Sequence, residues 1–107
     1  MSNSMNDREK SFENKFAHDA ELQFKVEARR NRLLGEWAGT LLGKEGDALK
    51  AYAVEVVKSD FEEAGDDDVM RKVTGDLGEK VPAAEVRAKM DALMVEAKQQ
   101  IMTELRD

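Results

Sequence analysis

The amino-acid sequence predicts an all-α fold, a small antiparallel four-helix bundle with a mobile N-terminal helical extension. The composition is dominated by the straight-chain helix formers Ala, Glu, Lys, Leu and Met, and aromatic residues make up only 6% of the chain. Four segments repeat apolar residues at helical spacing, and short turns separate them. Because short loops place consecutive helices side by side in opposite directions, an antiparallel bundle is the natural packing.

The first predicted helix starts at Asn6 and ends at the turn Gly43–Gly46. Asn6 is a good N-cap, and Glu9 lies three residues further on, as in a capping box. Apolar residues become frequent only after Phe24, and they then fall on one broad face of the helix. They are Leu33, Leu34, Trp37, Ala38, Leu41 and Leu42.

Three further helices are predicted after this turn. Asp47 caps the second, which Gly65 ends, and Asp66 or Asp67 starts a short third helix. Pro82 occupies the first position of the fourth, where its missing N–H costs nothing. The apolar stripes are Leu49, Tyr52, Ala53, Val56, Val57 and Phe61, then Val69, Met70, Val73 and Leu77, then Val86, Met90, Leu93, Ala97, Ile101 and Leu105.

We expect the chain to divide into residues 1–19, a mobile N-terminal segment, and residues 20–107, the four-helix bundle. The strong apolar pattern runs from Leu33 to Leu105, and we expect everything before about Phe24 to overhang the core. Charge follows the same division, because residues 1–32 carry seven Lys and Arg against six Asp and Glu, whereas the remainder carries ten against seventeen. We therefore expect the N-terminal part to bind a different partner from the one that the acidic remainder of the chain would bind.

Composition excludes several classes of function. No cysteine is present, so disulfides and thiolate metal sites are excluded, and His18 has no second histidine with which to bind zinc. No stretch approaches the roughly 20 apolar residues of a membrane span, and the acidic body argues against nucleic acid. No nucleophile has a credible base partner, so we expect no enzyme. These features predict a reduced, cytoplasmic protein.

One candidate surface lies near the N-terminus. Phe12 and Phe16 are spaced i,i+4, and Ala20 and Phe24 continue the row. Basic residues surround the two phenylalanines, namely Arg8, Lys10 and Lys15. The row could pack on the bundle as the front of a long first helix, or it could be a helix-in-groove ligand for a partner protein. The pattern alone leaves both interpretations open.

A second candidate surface is formed by Arg29, Arg30 and Arg32, which precede the single tryptophan, Trp37. These arginines could be solvated or paired with Glu27 and Glu36, with Trp37 in the core. Alternatively, they could contact a partner that carries carboxylates or phosphates, because the planar guanidinium matches both groups.

The stretches FAHDAELQFKVEARRNRLLGEWAGTLLG and YAVEVVKSDFEEAGDDDVMRKVTGDL together resemble the zeta subunit family of alpha-proteobacterial F-type ATP synthases. The resemblance covers about Asp7 to Leu105. It implies a four-helix bundle that inhibits ATP hydrolysis by the catalytic head of the synthase. It also implies an N-terminal segment that becomes an inhibitory helix, wedged at a catalytic interface between the alpha and beta subunits near gamma.

The resemblance assigns roles to the residues of the first surface. Phe12 and Phe16 would enter apolar pockets of the head, while Arg8, Lys10 and Lys15 would meet acidic groups at the rim. The protein would lie in the cytoplasm, peripheral to the inner membrane through the synthase. No cofactor is implied, although relatives point to weak ATP or ADP binding.

For such nucleotide binding, Arg29, Arg30 and Arg32 are the first candidates. The alternative function is a nucleotide-sensing or other ligand-binding bundle without the synthase as its partner.

Overall fold

The computed structural model describes residues 20–60 and 66–106, and these residues form four α-helices and no β-strand. The helices are α1 (Ala20–Leu41), α2 (Gly46–Ser59), α3 (Asp67–Leu77) and α4 (Ala83–Arg106), with a short 3-10 turn at Gly78–Lys80. The predicted all-α bundle is therefore confirmed. The predicted helix start at Asn6 and the predicted end of the second helix at Gly65 lie outside the described residues.

Local sequence signals set most helix boundaries. Gly43 and Gly46 have positive φ angles of 82° and 55°, which glycine adopts without strain, so the predicted turn is confirmed. Asp66 is the N-cap residue of α3. The N-cap of α2 is Glu45 rather than Asp47, which lies instead in the first turn, where a carboxylate interacts favourably with the helix dipole.

Pro82 directly precedes α4, one residue before the predicted position. Its carbonyl accepts hydrogen bonds from the backbone N–H groups of Glu85 (3.0 Å) and Val86 (3.2 Å). A proline suits this boundary because the first N–H groups of a helix have no partner within the helix.

The main core lies where all four helices meet. Its buried members are Leu34, Ala38, Tyr52, Val56, Val69, Val73, Leu77, Val81, Val86, Met90 and Leu93. Two glycines of α1, Gly35 and Gly39, face α2, and a Cβ built on Gly35 would lie only 2.7 Å from the Cα of Ala53. The absence of a side chain at Gly35 therefore allows the backbones of α1 and α2 to approach closely.

A second group of buried residues, which we call the end cluster, joins the start of α1 to the last turns of α4. It comprises Leu22, Val26, Ala97 and Ile101. Leu22 is only 6% exposed, so the expectation that everything before Phe24 overhangs the core is wrong for this residue. The reason is the length of α4, because its 24 residues extend well past the shorter α2 and α3 and give α1 an extra surface.

Leu41 and Leu105, which the apolar stripes placed in the core, are exposed. Each lies in the last turn of its helix. The helix pair α1 and α4 is antiparallel, because Arg29 contacts Gln100 whereas Trp37, further along α1, lies under Lys89. Within the described parts of the chain, no helix is both long enough and apolar enough to cross a bilayer.

Candidate functional site

The candidate partner-binding residues of the N-terminal surface are Arg8, Lys10, Phe12, Lys15 and Phe16, and all five lie outside the described residues. The described residues of α1 begin at Ala20. The first described turns of α1 pack on the last turns of α4 at one end of the bundle.

The first two described turns of α1 have one face fixed to α4 and one face exposed. Leu22 and Val26 are buried in the end cluster, whereas Phe24 between them is 52% exposed. At about 100° per residue, Phe24 is rotated by roughly 200° from Leu22 and by as much again from Val26. A residue in that position faces away from α4, which agrees with the partial exposure of Phe24.

Arg29 connects α1 to the last turns of α4 through hydrogen bonds. Its guanidinium donates to both carboxylate oxygens of Glu104 (2.6 and 3.0 Å) and to the amide oxygen of Gln100 (2.8 Å). This fork geometry is the strongest form of an arginine–carboxylate pair. The hydrogen bond from Arg29 lowers the pKa of the Glu104 carboxyl, and the same bond raises the pKa of Arg29.

Arg30 is 1% exposed and connects α1 to Asp66, the N-cap residue of α3. Its Nη2 donates to Asp66 (2.9 Å) and its Nε donates to the side-chain oxygen of Asn31 (2.9 Å). The amide of Asn31 in turn donates to Asp60 (3.2 Å). Asp60 follows α2 and Asp66 precedes α3, so a partly buried chain of hydrogen bonds connects both residues to the same turn of α1.

Glu27 lies one turn before this network. Burial raises the pKa of the Glu27 carboxyl, and the negative charge of Asp60 raises it further, while Arg30 opposes both effects. Burial is the largest of these effects, and together with the charges of Asp60 and Asp66 it outweighs the opposing charge of Arg30. The negative charge of Glu27 is therefore unfavourable in the folded protein.

Arg32 has a different neighbour from the other two arginines. It pairs with Glu36 at 3.4 Å, which confirms one of the pairings expected from the sequence, and its side chain is largely exposed. Arg32 and Glu36 border a groove of about 640 Å³ between α1 and α2. The apolar side chains lining this groove are Leu49, Ala53, Val54 and Val57.

The structure does not direct the three arginines towards one ligand. Arg29 contacts α4, Arg30 contacts Asp66 at the start of α3, and Arg32 borders the groove between α1 and α2. Trp37 is half-buried against the main core, in line with the expectation that it is a core residue. The assignment of the three arginines to nucleotide phosphates stays a prediction.

Sequence reasoning missed a polar network around Tyr52, which it treated only as an apolar core residue. The Tyr52 hydroxyl donates to Asp76 (2.8 Å), and Lys72 donates to the same carboxylate (3.1 Å). Lys44 and Lys72 also lie over the ring, at 5.7 and 5.3 Å from its centre. Burial raises the pKa of the Tyr52 hydroxyl, and Asp76 raises it further. The i,i+4 spacing of Lys72 and Asp76 was the one available signal.

Across residues 20–60 and 66–106, no cluster of three or more His, Cys, Asp or Glu side chains is arranged to hold a metal ion. Within the same residues, every buried side-chain nitrogen and oxygen has a hydrogen-bond partner. The buried polar side chains of the described residues thus have their hydrogen bonds within the bundle. The polar groups of these residues that can contact a ligand lie on the surface.

Comparison with known proteins identifies a family and similar solved structures. The family model described as "ATPase inhibitor subunit zeta" matches residues 1–100 of this chain. A solved structure, determined by NMR in solution, is 64% identical in sequence and superposes with a TM-score of 0.73; the match covers 78% of this chain and 98% of that one. No curated protein matches.

Proposed function

This chain belongs to the ATPase inhibitor subunit zeta family, and on that premise we propose that its residues 1–19 are the segment that inhibits ATP hydrolysis. Family membership makes the protein a regulatory subunit rather than a catalyst, and implies an ATP synthase as its partner. The finer proposal is that this segment folds into a helix at a catalytic interface between the alpha and beta subunits, near gamma. The protein would then be cytoplasmic and peripheral to the inner membrane.

Inhibition by such a helix follows from its preference for one state of the interface. Rotary catalysis requires each catalytic interface to open and close, and a ligand shifts an equilibrium only by its differential affinity for the two states. A helix that binds only the closed arrangement stabilises that arrangement and stops turnover. Phe12 and Phe16 would anchor the helix in apolar pockets, and Arg8, Lys10 and Lys15 would contact acidic groups at the rim.

The observation that carries the proposal is the internal completeness of the described bundle. Among the described residues, the main core joins all four helices and the end cluster joins α1 to α4. Within the described residues, no buried side-chain nitrogen or oxygen lacks a partner. We therefore expect the bundle to fold without residues 1–19, and we expect the apolar side chains of this segment to bind another protein.

Deletion of residues 1–19 tests the proposal. We expect the truncated protein to keep its helical circular-dichroism spectrum and cooperative unfolding, but to lose inhibition of ATP hydrolysis by the purified catalytic head. Full inhibition by the truncated protein would contradict the assignment. Loss of the helical spectrum would show instead that the segment is part of the core.

A double substitution, Phe12→Ala with Phe16→Ala, tests the anchors. Burial of a phenylalanine contributes roughly 1.5–3 kcal/mol, so loss of both should weaken binding by about 3 kcal/mol or more, which is at least about 100-fold. Val95→Ala is a matched control, because Val95 is an exposed apolar residue on α4. Unchanged potency of the double variant would refute the anchoring role.

The alternative is a bundle that senses nucleotide through Arg29, Arg30 and Arg32. Since Arg30 is buried against Asp66, the exposed Arg32 beside the groove is the most accessible of the three. Titration with ATP or ADP, followed by amide chemical shifts, separates the two functions. Saturable shifts confined to residues 29–37, without binding to the catalytic head, would favour the alternative.

A further inference from the structure

The groove between α1 and α2 has the size and the lining of a small-molecule site. Its volume is about 640 Å³, and such sites occupy about 300–1,000 Å³. Its apolar lining comes from α2, where Leu49, Ala53 and Val57 follow one another at i,i+4 spacing and form what we call the apolar row. Val54 lies beside this row and is 49% exposed, so a ligand in the groove would remove apolar surface from water.

The length of the groove matches an alkyl chain better than a protein interface. The α2 lining runs from Gly46 to Val57, which is about 17 Å along a helix, and the apolar row covers about 12 Å of it. A standard protein interface covers about 800 Å² on each partner, a patch roughly 28 Å across. An extended chain advances about 1.2 Å for each bond, so a chain of about ten carbons spans the apolar row.

The charged side chains of the groove favour an anionic ligand. Arg32, Glu36 and Lys50 line it, so two cations and one anion surround a ligand, in a protein whose net charge is -6. Arg32 contacts Glu36 through Nε at 3.4 Å, which is longer than a charge-assisted hydrogen bond of about 2.7–2.9 Å. Because this contact uses Nε, the two Nη atoms of Arg32 can donate to the carboxylate of a ligand.

The register of the two helices places Arg32 at one end of the apolar row. A Cβ built on Gly35 would meet Ala53, whereas one built on Gly39, a turn later, would meet Leu49, so α1 and α2 are antiparallel. Since Arg32 lies one turn before Gly35, it stands at the level of the C-terminal end of the apolar row. A head group bound by Arg32 therefore leaves the alkyl chain to follow the row towards Leu49.

We propose that this groove binds a medium-chain carboxylate, with its carboxylate on Arg32 and its alkyl chain along the apolar row. Lys50 adds a second positive charge to the lining, and Glu36 opposes both cations. The site is built from described residues of α1 and α2. The inference therefore goes beyond the proposed function and does not depend on the role of residues 1–19.

A series of sodium carboxylates from hexanoate to dodecanoate tests the apolar row in the full-length protein. Binding is followed by amide chemical shifts, below the concentration at which each carboxylate forms micelles. We expect saturable shifts at the groove residues. The dissociation constant should fall about twofold to fourfold for each methylene up to decanoate and change little beyond it. Equal affinities for hexanoate and decanoate, or shifts spread evenly over the chain, would overturn the inference.

Three ligands of one chain length test the head group. Octanoate should bind more tightly than 1-octanol, and 1-octanol more tightly than octylammonium, because only the carboxylate pairs with Arg32. Octylammonium binding as tightly as octanoate would refute the proposed head-group contact.

Two substitutions of opposite sign test the same contact. Arg32→Gln should weaken octanoate binding about twofold to fivefold, the range of an exposed ion pair, whereas Glu36→Gln should tighten it. Arg87→Gln is the matched control, because the Arg87 side chain on α4 is 51% exposed against 53% for Arg32 and also pairs with a carboxylate four residues later, on Asp91. Equal affinities of the two arginine variants for octanoate would count against the site.

A charge placed inside the groove provides a further test. Val54→Asp should weaken octanoate binding at least about tenfold, because a carboxylate beside the apolar row repels the ligand and loses its own hydration when the ligand binds. Val95→Asp is the matched control, since Val95 is an exposed residue of α4 outside the groove, and this variant should bind octanoate as the wild type does. A folded Val54→Asp protein with wild-type affinity would refute the site, and the chain-length series decides the question in the wild-type protein whether or not this variant folds.

Discussion

Replacement of Gly35 by alanine should destabilise the bundle, although alanine is the better helix former. Gly35 is buried at the contact between α1 and α2. A Cβ at this position would lie 2.7 Å from the Cα of Ala53 and 3.2 Å from its Cβ. Because the closest atom belongs to the backbone of α2, a rotamer change cannot relieve the overlap, and the two helices must move apart.

The magnitude follows from two opposing terms. Overpacking of a core costs typically about 1–3 kcal/mol, and contact with backbone places Gly35→Ala in the upper part of that range. Alanine recovers about 0.5–1 kcal/mol of helix propensity. We therefore expect the free energy of unfolding to fall by about 1–2 kcal/mol.

Gly75→Ala provides the matched control. Gly75 lies in α3 and is exposed, and a Cβ added there would meet no atom within 4 Å, so the propensity term acts alone. This variant should gain about 0.5–1 kcal/mol. The two variants share one chemical change, and their free energies of unfolding should differ by about 1.5–3 kcal/mol.

Urea unfolding followed by circular dichroism measures both variants against the wild type. For a domain of this size, each kcal/mol also moves the thermal midpoint by about 4–8 °C, which gives an independent readout. Equal stabilisation by both substitutions would refute the close packing of α1 on α2. A loss at Gly75 would show that this turn of α3 has a neighbour that its exposed position does not reveal.

Three further predictions concern the polar network and the end cluster. Leu22→Ala should lower the free energy of unfolding by about 2–4 kcal/mol, since the residue is buried; a change within the error of urea titration would mean that the start of α1 does not pack on α4. Arg30→Met should lower the free energy of unfolding by about 2–3 kcal/mol. This loss is smaller than that expected for a fully buried ion pair, because Asp66 is partly exposed. An unaltered urea midpoint would show that the pair does not stabilise the fold. The pKa of Glu27 is raised in the fold above its ordinary value of 4.5, so this residue favours folding when protonated, and that contribution is lost as pH rises through the raised pKa. Glu27→Gln should therefore be more stable than the wild type at pH 7 and lose this advantage below about pH 4, whereas a pH-independent difference would rule out titration of Glu27 as its cause.

Local chemistry fixed the secondary structure of this protein. The turn between α1 and α2 needs a residue that tolerates positive φ, and Gly43 and Gly46 provide it wherever the chain goes next. The boundaries at Asp66 and Pro82 likewise depend on neighbours within one helical turn. The spacing of residues such as Val56 and Met90 identified the buried faces, because the helical period alone decides which residues share a face.

Only the tertiary structure decided which neighbour each face meets. Leu22 is buried because α4 extends past the other helices, and the relative lengths and offsets of helices are not encoded in the period of either one. Arg29 contacts Glu104, 75 positions away, and Arg30 contacts Asp66, while the sequence offered several carboxylates at similar local spacing. Periodicity is a property of one helix, whereas an ion pair between helices depends on how they are placed together.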